Sequence, residues 1–295
     1  MSMRLVAEVN RQLGWGLKVS GVASQGQSGG AVFVRWPDGR EGVVTTGLVS
    51  WQRMVQTAEV LGEVRERGIP VPRIEAVVPV IRGRTAVVQE KLPGATITEA
   101  GAETVDAIVA MNDRFAGLLA DRADVPGPQV RLSPAHGLLE QYGARSSRLL
   151  DRIRELDSPS HGGPASSGAG AAGLAIDGDD LVHPDLTVPN VLFGRTGAVT
   201  GVVDWNLGVA RGDRRFGLVK LLFDLTWAAG VPSDEQRPAA AALDRIEEVV
   251  HTTIPADRLR RYWACQTLAM LSWTIHARDT EAINLHLALG ERGLG

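Results

Sequence analysis

A single cysteine, Cys265, occurs in this 295-residue chain. One thiol excludes an intrachain disulfide and any metal cluster built on thiolates within the chain. Cys265 stands between Ala264 and Gln266 in an apolar helical pattern, where a buried, inert side chain is expected. No apolar run reaches the roughly 18–20 residues that a membrane-spanning helix needs. Met1 to Gly14 also lacks the long apolar stretch of a secretory leader. A cytoplasmic protein with no membrane partner is expected. An excess of basic charge is missing too: 31 Lys and Arg face 34 Asp and Glu, for a net charge of −3. That balance disfavours a general nucleic-acid binder and is compatible with a cationic small molecule. No repeat with a period of about 20–50 residues is found, which excludes a solenoid. The remaining composition, 44% hydrophobic and 22% charged, suits a globular fold with a sizeable core.

The first 90 or so residues look strand-rich. Ala31 to Trp36 is a compact apolar run. Pro37-Asp38-Gly39-Arg40 is a turn sequence and Glu41 to Thr46 a return strand, so a β-hairpin is expected. Ser50 can cap a helix from Trp51 to about Arg67. Trp51, Val55, Ala58, Leu61 and Val64 form its apolar stripe. Gly68 and the two prolines of Ile69-Pro70-Val71-Pro72 end it. Two more strands, Ile74 to Ile81 and Thr85 to Gln89, flank Arg82-Gly83-Arg84. Helical patterns then dominate: Val105, Ile108, Met111, Phe115 and Leu118 form one stripe, and Leu138 to Leu156, Asp234 to His251 and Ala256 to Arg278 form further segments. Ser158 to Gly173, rich in Ser, Gly, Ala and Pro, reads as a loop or insertion. Short strands and tight loops occupy Leu181 to Trp205.

Within that last stretch, His183-Pro184-Asp185-Leu186-Thr187-Val188-Pro189-Asn190 fits the catalytic-loop pattern H-x-D-x-x-x-x-N of kinases. Val202-Val203-Asp204-Trp205 then places a carboxylate at the end of an apolar strand. Phosphoryl transfer to a hydroxyl needs an oriented nucleophile and neutralised phosphate charge. Asp185 can accept the hydroxyl proton. Magnesium prefers oxygen ligands, commonly one or two protein carboxylates, so Asp204 and the amide oxygen of Asn190 are its candidate ligands. His183 is expected to anchor the loop through hydrogen bonds. The motif alone is a weak signal; its bland alternative is a capped turn. The strand ending in Asp204 at hairpin distance, the β-rich segment before and the helical segment after shift the weighing.

These features together resemble the aminoglycoside phosphotransferase and choline kinase family, in which Asp-Trp commonly stands where protein kinases have Asp-Phe-Gly. Gly68-Ile69-Pro70-Val71-Pro72 resembles the family's segment after its first-lobe helix, Gln89-Glu90-Lys91-Leu92-Pro93-Gly94 its hinge, and Gly212-Asp213 the stretch after the metal-binding Asp. The resemblance spans roughly residues 20 to 225. It implies an α+β, bilobal, protein-kinase-like fold: a small β-rich N-lobe with one helix over residues 1–92, and a larger, mostly helical C-lobe over 93–295 carrying the catalytic loop and acceptor site. It also implies ATP or GTP as donor, lying between the lobes with its base against the backbone of Gln89, Glu90, Lys91 and Leu92. Gly26, Ser28 and Gly29 of Gln25-Gly26-Gln27-Ser28-Gly29-Gly30 would cover its phosphates, although this run is neither G-x-G-x-x-G nor a Walker A loop, and an ordinary hairpin turn is the alternative.

The chain departs from the family at the N-lobe ion pair. The strand that should carry Lys ends Val43-Val44-Thr45-Thr46, and the Glu expected on the next helix aligns with Thr57. No Lys lies between Lys18 and Lys91. The paired loss is coherent, because one buried charge left alone is costly. Three readings stay open: another cation (Arg53, Arg35 or Lys18) reaches the phosphates; Mg²⁺ and loop amides suffice; or nucleotide binding has degenerated. Asn206 replaces a frequent Glu, outside the essential roles. Asp177, Asp179 and Asp180 read as a solvated acidic turn, with attraction of a cationic acceptor as the alternative. Trp263 and Trp273 read as core, and His276 and His286 as structural.

The expected function is therefore Mg²⁺-dependent transfer of a nucleotide γ-phosphate to a hydroxyl of a small molecule: an aminoglycoside or other antibiotic, an amino alcohol or a sugar. Two alternatives are kept, a Ser/Thr peptide kinase in natural-product maturation and a pseudokinase that regulates a partner. Oligomeric state is not encoded in any motif.

Overall fold

The structure is a computed structural model. It describes residues 2–23, 31–80, 84–128, 130–131, 142, 144–156, 173–174, 176–230 and 239–295. Elements follow in the order α1 (Ser2–Leu13), β1 (Lys18–Val22), β2 (Val32–Arg35), β3 (Glu41–Gly47), α2 (Trp51–Glu66), β4 (Ile74–Val80) and β5 (Arg84–Glu90). Then come α3 (Ala102–Asp113), β6 (Val130–Arg131), α4 (Ala144–Leu156), β7 (Gly173–Leu174), β8 (Asp180–Val182), β9 (Val191–Phe193) and β10 (Val199–Val202). The chain closes with β11 (Ala210–Gly212), α5 (Arg215–Gly230), α6 (Ala240–Thr253), α7 (Ala256–Ala277) and α8 (Thr280–Leu294). The fold is α+β, with an antiparallel sheet in the N-terminal part and a larger helical part after it.

The chain forms two compact units. The first combines Met1–Ile97 with His183–Val209. Its sheet has five strands in the order β1-β2-β3-β5-β4. The expected hairpin is β2 and β3, with Val32 opposite Val44 and Arg35 opposite Glu41. Successive side chains on a strand point to opposite faces. Val32, Val34, Val44, Val78, Ala86 and Val88 accordingly form one buried face, and Val6 and Val9 of α1 pack into that same cluster. The first fourteen residues carried no expected element, and α1 is a helix that the sequence reading did not assign. On α2, Ser50 caps the first turn by accepting from the Arg53 N–H, as expected, and Met54, Thr57, Val60, Leu61 and Val64 are buried. Each fully buried Val or Leu there contributes roughly 1.5–3 kcal/mol relative to exposure.

The hairpin β9–β10 belongs to this same unit. Ala95 and Phe193 exchange backbone hydrogen bonds of 3.1 and 2.8 Å, and the Val202 N–H donates to Pro70 O at 2.8 Å. Thr200 Oγ1 donates to Pro93 O at 2.8 Å. Gly94 makes the close approach possible: its φ is 100°, and a Cβ there would lie 2.2 Å from Thr200 Oγ1 and 2.8 Å from Phe193 O.

The second unit is Thr98–Val182 with Ala210–Gly295. Here α3 stops at Asp113, so Phe115 and Leu118 of the expected stripe lie in turns beyond it. The chain turns at Gly117, whose φ is 64°, and this lets Phe115 O accept from the Leu181 N–H at 3.1 Å. Helix α5 was not singled out from sequence because it is buried nearly all round, which leaves no amphipathic stripe to detect. Among the longer expected segments, α7 matches closely and α6 begins at Ala240. Residues 132–141 and the loop at 158–172 lie outside the described residues. Cys265 and Trp263 are buried as expected, whereas Trp273 is exposed. The carboxylate of Asp213, 5% exposed, anchors this unit. Burial opposes its ionisation, but hydrogen bonds from Arg215 and from the Tyr262 hydroxyl hold it below the usual carboxylate range. Asp179 and Asp180 are less free than a solvated turn implies: Arg211 pairs with the first, and Arg214 and the Gly117 N–H bind the second.

His286 of α8 lies nearly parallel to Phe223 and Trp227 of α5, with centroids 5.6 and 6.3 Å away. Its Nδ1 is buried without a hydrogen-bond partner. Burial drives its pKa from 6.5 to about 4, the Lys220 ammonium adding to the shift and Asp279 opposing it. The folded state therefore keeps this ring neutral where the unfolded chain already binds a proton. Stability should be full above the unfolded value and should fall as pH drops from 6.5 to about 4, by up to roughly 3 kcal/mol. Urea unfolding across that range tests this: His286→Phe should flatten the slope, and a variant as pH-sensitive as the wild type would remove His286 as the cause.

Candidate active site

The loop after β8 is organised by His183, which is 1% exposed. Its Nδ1 accepts from the Asp185 backbone N–H at 3.1 Å, so Nε2 carries the proton and donates to Val203 O at 2.9 Å. The ring also packs on Trp205, with centroids 4.3 Å apart, and Trp205 Nε1 donates to Val202 O at 2.9 Å. One imidazole thus joins the backbone before Asp185 to the backbone before Asp204.

Asn190 makes the second junction. Thr187 is extended and Pro189 starts a tight turn over Val188–Asn190, whose Asn190 N–H donates to Thr187 O at 3.0 Å. The Asn190 amide nitrogen donates to Asp185 O at 2.8 Å and to Asp185 Oδ2 at 3.2 Å. Its backbone carbonyl accepts from the Val203 N–H at 2.9 Å. With the nitrogen used on Asp185, the amide oxygen is the atom left for a cation. The structure therefore brings His183, Asp185, Asn190 and Asp204 together on one network.

Asp204 has φ 64° and ψ 53°, a left-handed conformation that non-glycine residues adopt only where their surroundings hold them. Burial raises its carboxyl above the ordinary value, the Asp185 carboxylate adds to the rise, and hydrogen bonds from Asn206 oppose it. Among the described residues no Lys or Arg pairs with Asp204. Two half-buried carboxylates that raise each other's cost of ionisation, one of them bonded by the Asn190 amide, make an oxygen donor set that a hard divalent cation would relieve of mutual repulsion. No group of three or more His, Cys, Asp or Glu side chains able to hold a metal exists among the described residues. A site of two carboxylates completed by substrate phosphates does not need one.

Gln89 is buried near the end of β5, opposite Val43. Glu90 pairs with Arg65 and accepts from the Arg73 N–H at 2.9 Å, and its own N–H donates to Arg73 O at 3.0 Å. Lys91 pairs with Glu41 at 2.8 Å, and its N–H donates to Glu41 O at 3.3 Å. Leu92 packs beside Gly201 of β10. The side chains of Glu90 and Lys91 are thus engaged in holding the sheet together. Gly26, Ser28 and Gly29 lie outside the described residues. Of the cations named as replacements for the missing lysine, Arg35 pairs with Glu41 at 3.1 Å and Lys18 sits exposed on edge strand β1. Arg53 is the one beside the segment after Asp204: its guanidinium donates to Val209 O and to Gln56 Oε1.

Sequence reading set Asn206 aside and counted Thr45 and Thr57 only as losses. In the structure Asn206 bonds both Asp204 and Thr45, and Thr57 receives the Val209 N–H. Two threonines standing where the resemblance implies a charged pair were the available signal, since two buried hydroxyls need partners.

A family model described as the phosphotransferase enzyme family matches residues 22–257. The chain belongs to that family. This phosphotransferase shares its fold with aminoglycoside phosphotransferase APH(4)-Ia, at 14% identity and a TM-score of 0.66, with 100% of this chain and 98% of that one covered. It is also similar to aminoglycoside-3'-phosphotransferase of type VIII, at 20% identity, a TM-score of 0.58 and coverages of 90% and 98%. Amicoumacin kinase hAmiN is similar at 15% identity, with a TM-score of 0.61 and coverages of 100% and 96%. At these identities the likeness establishes the fold. No curated protein matches the chain by sequence.

The double junction at His183 gives a stability expectation for this phosphotransferase. His183→Leu leaves the Asp185 N–H and the Val203 carbonyl without their partner, at a cost of about 1–3 kcal/mol for each buried group. Urea denaturation at neutral pH should show that loss; a change below about 0.5 kcal/mol would mean that water or another group replaces the ring.

Proposed function

We propose that this phosphotransferase moves the γ-phosphate of ATP or GTP to a hydroxyl group of a small molecule, with Asp185 as the base and Asp204 and Asn190 as the Mg²⁺ ligands. The observation that carries the reading is the position of Asn190. Its side chain holds the Asp185 carboxylate while its backbone carbonyl holds Val203, the residue before Asp204. Base and metal ligand are thereby fixed relative to each other by one residue, which is what in-line transfer between a hydroxyl and a metal-bound phosphate requires.

In this reading Asp185 accepts the proton of the acceptor hydroxyl as its oxygen bonds to the γ-phosphorus. The bond from phosphorus to the β–γ bridging oxygen breaks, and the nucleoside diphosphate leaves with that electron pair. Mg²⁺, when bound, neutralises charge on the phosphate oxygens. The nucleotide base is assigned to the backbone around Gln89 to Leu92, where residues 1–92 form the nucleotide-covering part and 93–295 supply the catalytic loop and acceptor site. The Glu90 and Lys91 N–H groups are already bonded within the sheet, which leaves the base to the carbonyls and to Leu92. Gly26, Ser28 and Gly29 remain the assigned phosphate cover.

Antibiotics are the acceptor class to test first. An APH(4)-Ia structure is a ternary complex with AMP-PNP and hygromycin B, and the amicoumacin kinase hAmiN is in complex with AMP-PNP, Ca²⁺ and Ami. Hydroxylated and amino-bearing antibiotics of that kind suit a chain with a net charge of −3. No helix among the described residues is long and apolar enough to cross a membrane.

Phosphate transfer from ATP and GTP to a panel of such compounds tests the proposal. Asp185→Asn should lower kcat by about 10²–10⁴ while nucleotide affinity stays near wild type. Transfer that survives this change would discard Asp185 as the base. Asp204→Ala should abolish the Mg²⁺-dependent part of nucleotide binding measured by calorimetry. A wild type that binds neither nucleotide would overturn the proposal in favour of a pseudokinase.

A further inference from the structure

The stretch from Asp204 to Val209 is gripped by β3 through an uncharged hydroxyl and by α2 through Thr57 and the Arg53 guanidinium. Thr45 on β3 is 8% exposed and Thr57 on α2 is fully buried. Thr45 pairs in register with Val87, and its neighbour Val44 faces the α1 side of the sheet, so the Thr45 side chain stands on the opposite face. There Thr45 Oγ1 donates to Asn206 Oδ1 at 2.8 Å, and Asn206 Nδ2 donates to Asp204 Oδ1 at 2.5 Å. The Asn206 backbone is fixed as well, since its carbonyl accepts from the Leu48 N–H at 2.8 Å. At the far end, Val209 N–H donates to Thr57 Oγ1 at 3.2 Å and Val209 O accepts from Arg53. Between the two ends Gly208 has φ 77°, and a Cβ there would come within 3.2 Å of Thr57 Oγ1.

A primary amide is directional. Once a hydroxyl holds its oxygen, its nitrogen must face the other way, and here it faces one oxygen of Asp204. The hydroxyl bond also discriminates between the two flips of the Asn206 amide, because only the oxygen can accept it. We propose that Thr45 and Asn206 are positioning residues that aim the Asp204 carboxylate at the divalent cation, doing so through neutral hydrogen bonds. Thr57 and Arg53 hold the other end of the same turn, so that the left-handed backbone at Asp204 is kept from both sides. This inference rests on the kinase reading above, in which Asp204 is a Mg²⁺ ligand.

The test is a Mg²⁺ titration of ATP binding by calorimetry, with GTP in parallel, on wild type, Thr45→Val, Thr45→Ser, Asn206→Leu and the Thr45→Val/Asn206→Leu double variant. Thr45→Val should raise the Mg²⁺ concentration for half-maximal binding about tenfold, the size typical of losing a residue that orients a metal ligand. Metal-free nucleotide affinity should not change, and Thr45→Ser should restore the Mg²⁺ requirement to within about twofold of wild type. Asn206→Leu should lose at least as much, and the double variant should add less than about twofold to it, because both changes cut one chain of bonds. An unchanged Mg²⁺ requirement in Thr45→Val overturns the inference. So does an equal loss of binding with and without metal, which would mark a purely structural role. Should Thr45→Val fail to fold, Asn206→Leu read against Thr45→Ser decides the same question by the same two criteria. A wild type with no Mg²⁺-dependent nucleotide binding overturns the proposed function and this inference together. A wild type that binds, with variants that do not shift, overturns the inference alone.

Discussion

The carbonyl and the side-chain amide of Asn190 reach in two directions, and the rest of the site depends on that crossing. A catalytic carboxylate on a loop is only as well placed as the loop, and short loops between strands have few backbone bonds of their own. Here the loop after β8 borrows its rigidity from the strand that follows. Asn190 takes the N–H of Val203 through its carbonyl and binds Asp185 through its side chain, and His183 closes the same gap a second time. Two independent bridges over one short interval leave Asp185 and Asp204 little freedom to drift apart. The cost is two carboxylates near each other, with Asp204 raised in pKa by burial and by Asp185. A site that stores repulsion of this kind favours a cation.

The N-terminal sheet supplies what that loop cannot. One face is closed by α1, and its three central strands, β2, β3 and β5, are in continuous antiparallel register. The chain crosses from β5 through Pro93 and Gly94 directly against the β9–β10 hairpin, where Thr200 and Phe193 receive it. Sheet, crossing segment and the His183–Val209 segment thus belong to one compact unit, although more than eighty residues of chain separate Ile97 from His183.

Much of this was legible in the sequence, and the gaps have physical causes. The hairpin, the capped helix after Ser50, the strand pair that follows and the catalytic run announce themselves by turn residues, alternation or motif spacing. Helix α1 was missed because a short N-terminal segment has few residues from which to judge a period. Helix α5 was missed for the opposite reason, since burial on every side erases the period. Phe115 and Leu118 were drawn into α3 because apolar spacing continues past the point where Gly117 turns the chain. Within the site, motif spacing pointed to His183, Asp185, Asn190 and Asp204, which are close in sequence and share one network. It was silent about Thr45 and Asn206, because a hydrogen bond across 161 residues leaves no periodic trace.

The neutrality of those threonine contacts bears on how the protein meets its ionic surroundings. Ions in solution weaken attraction between exposed opposite charges over distances of about 8–10 Å. They have little hold on the buried Thr45 hydroxyl and the half-buried Asn206 amide that it bonds. Rising salt should therefore act first at the periphery of the sheet, where Glu41 is shared between Arg35 and Lys91. The turn behind Asp204, joined to β3 by hydroxyl and amide alone, is insulated from it. With an uncharged contact at this point, the geometry of the Asp204 carboxylate is separated from the salinity of the solvent.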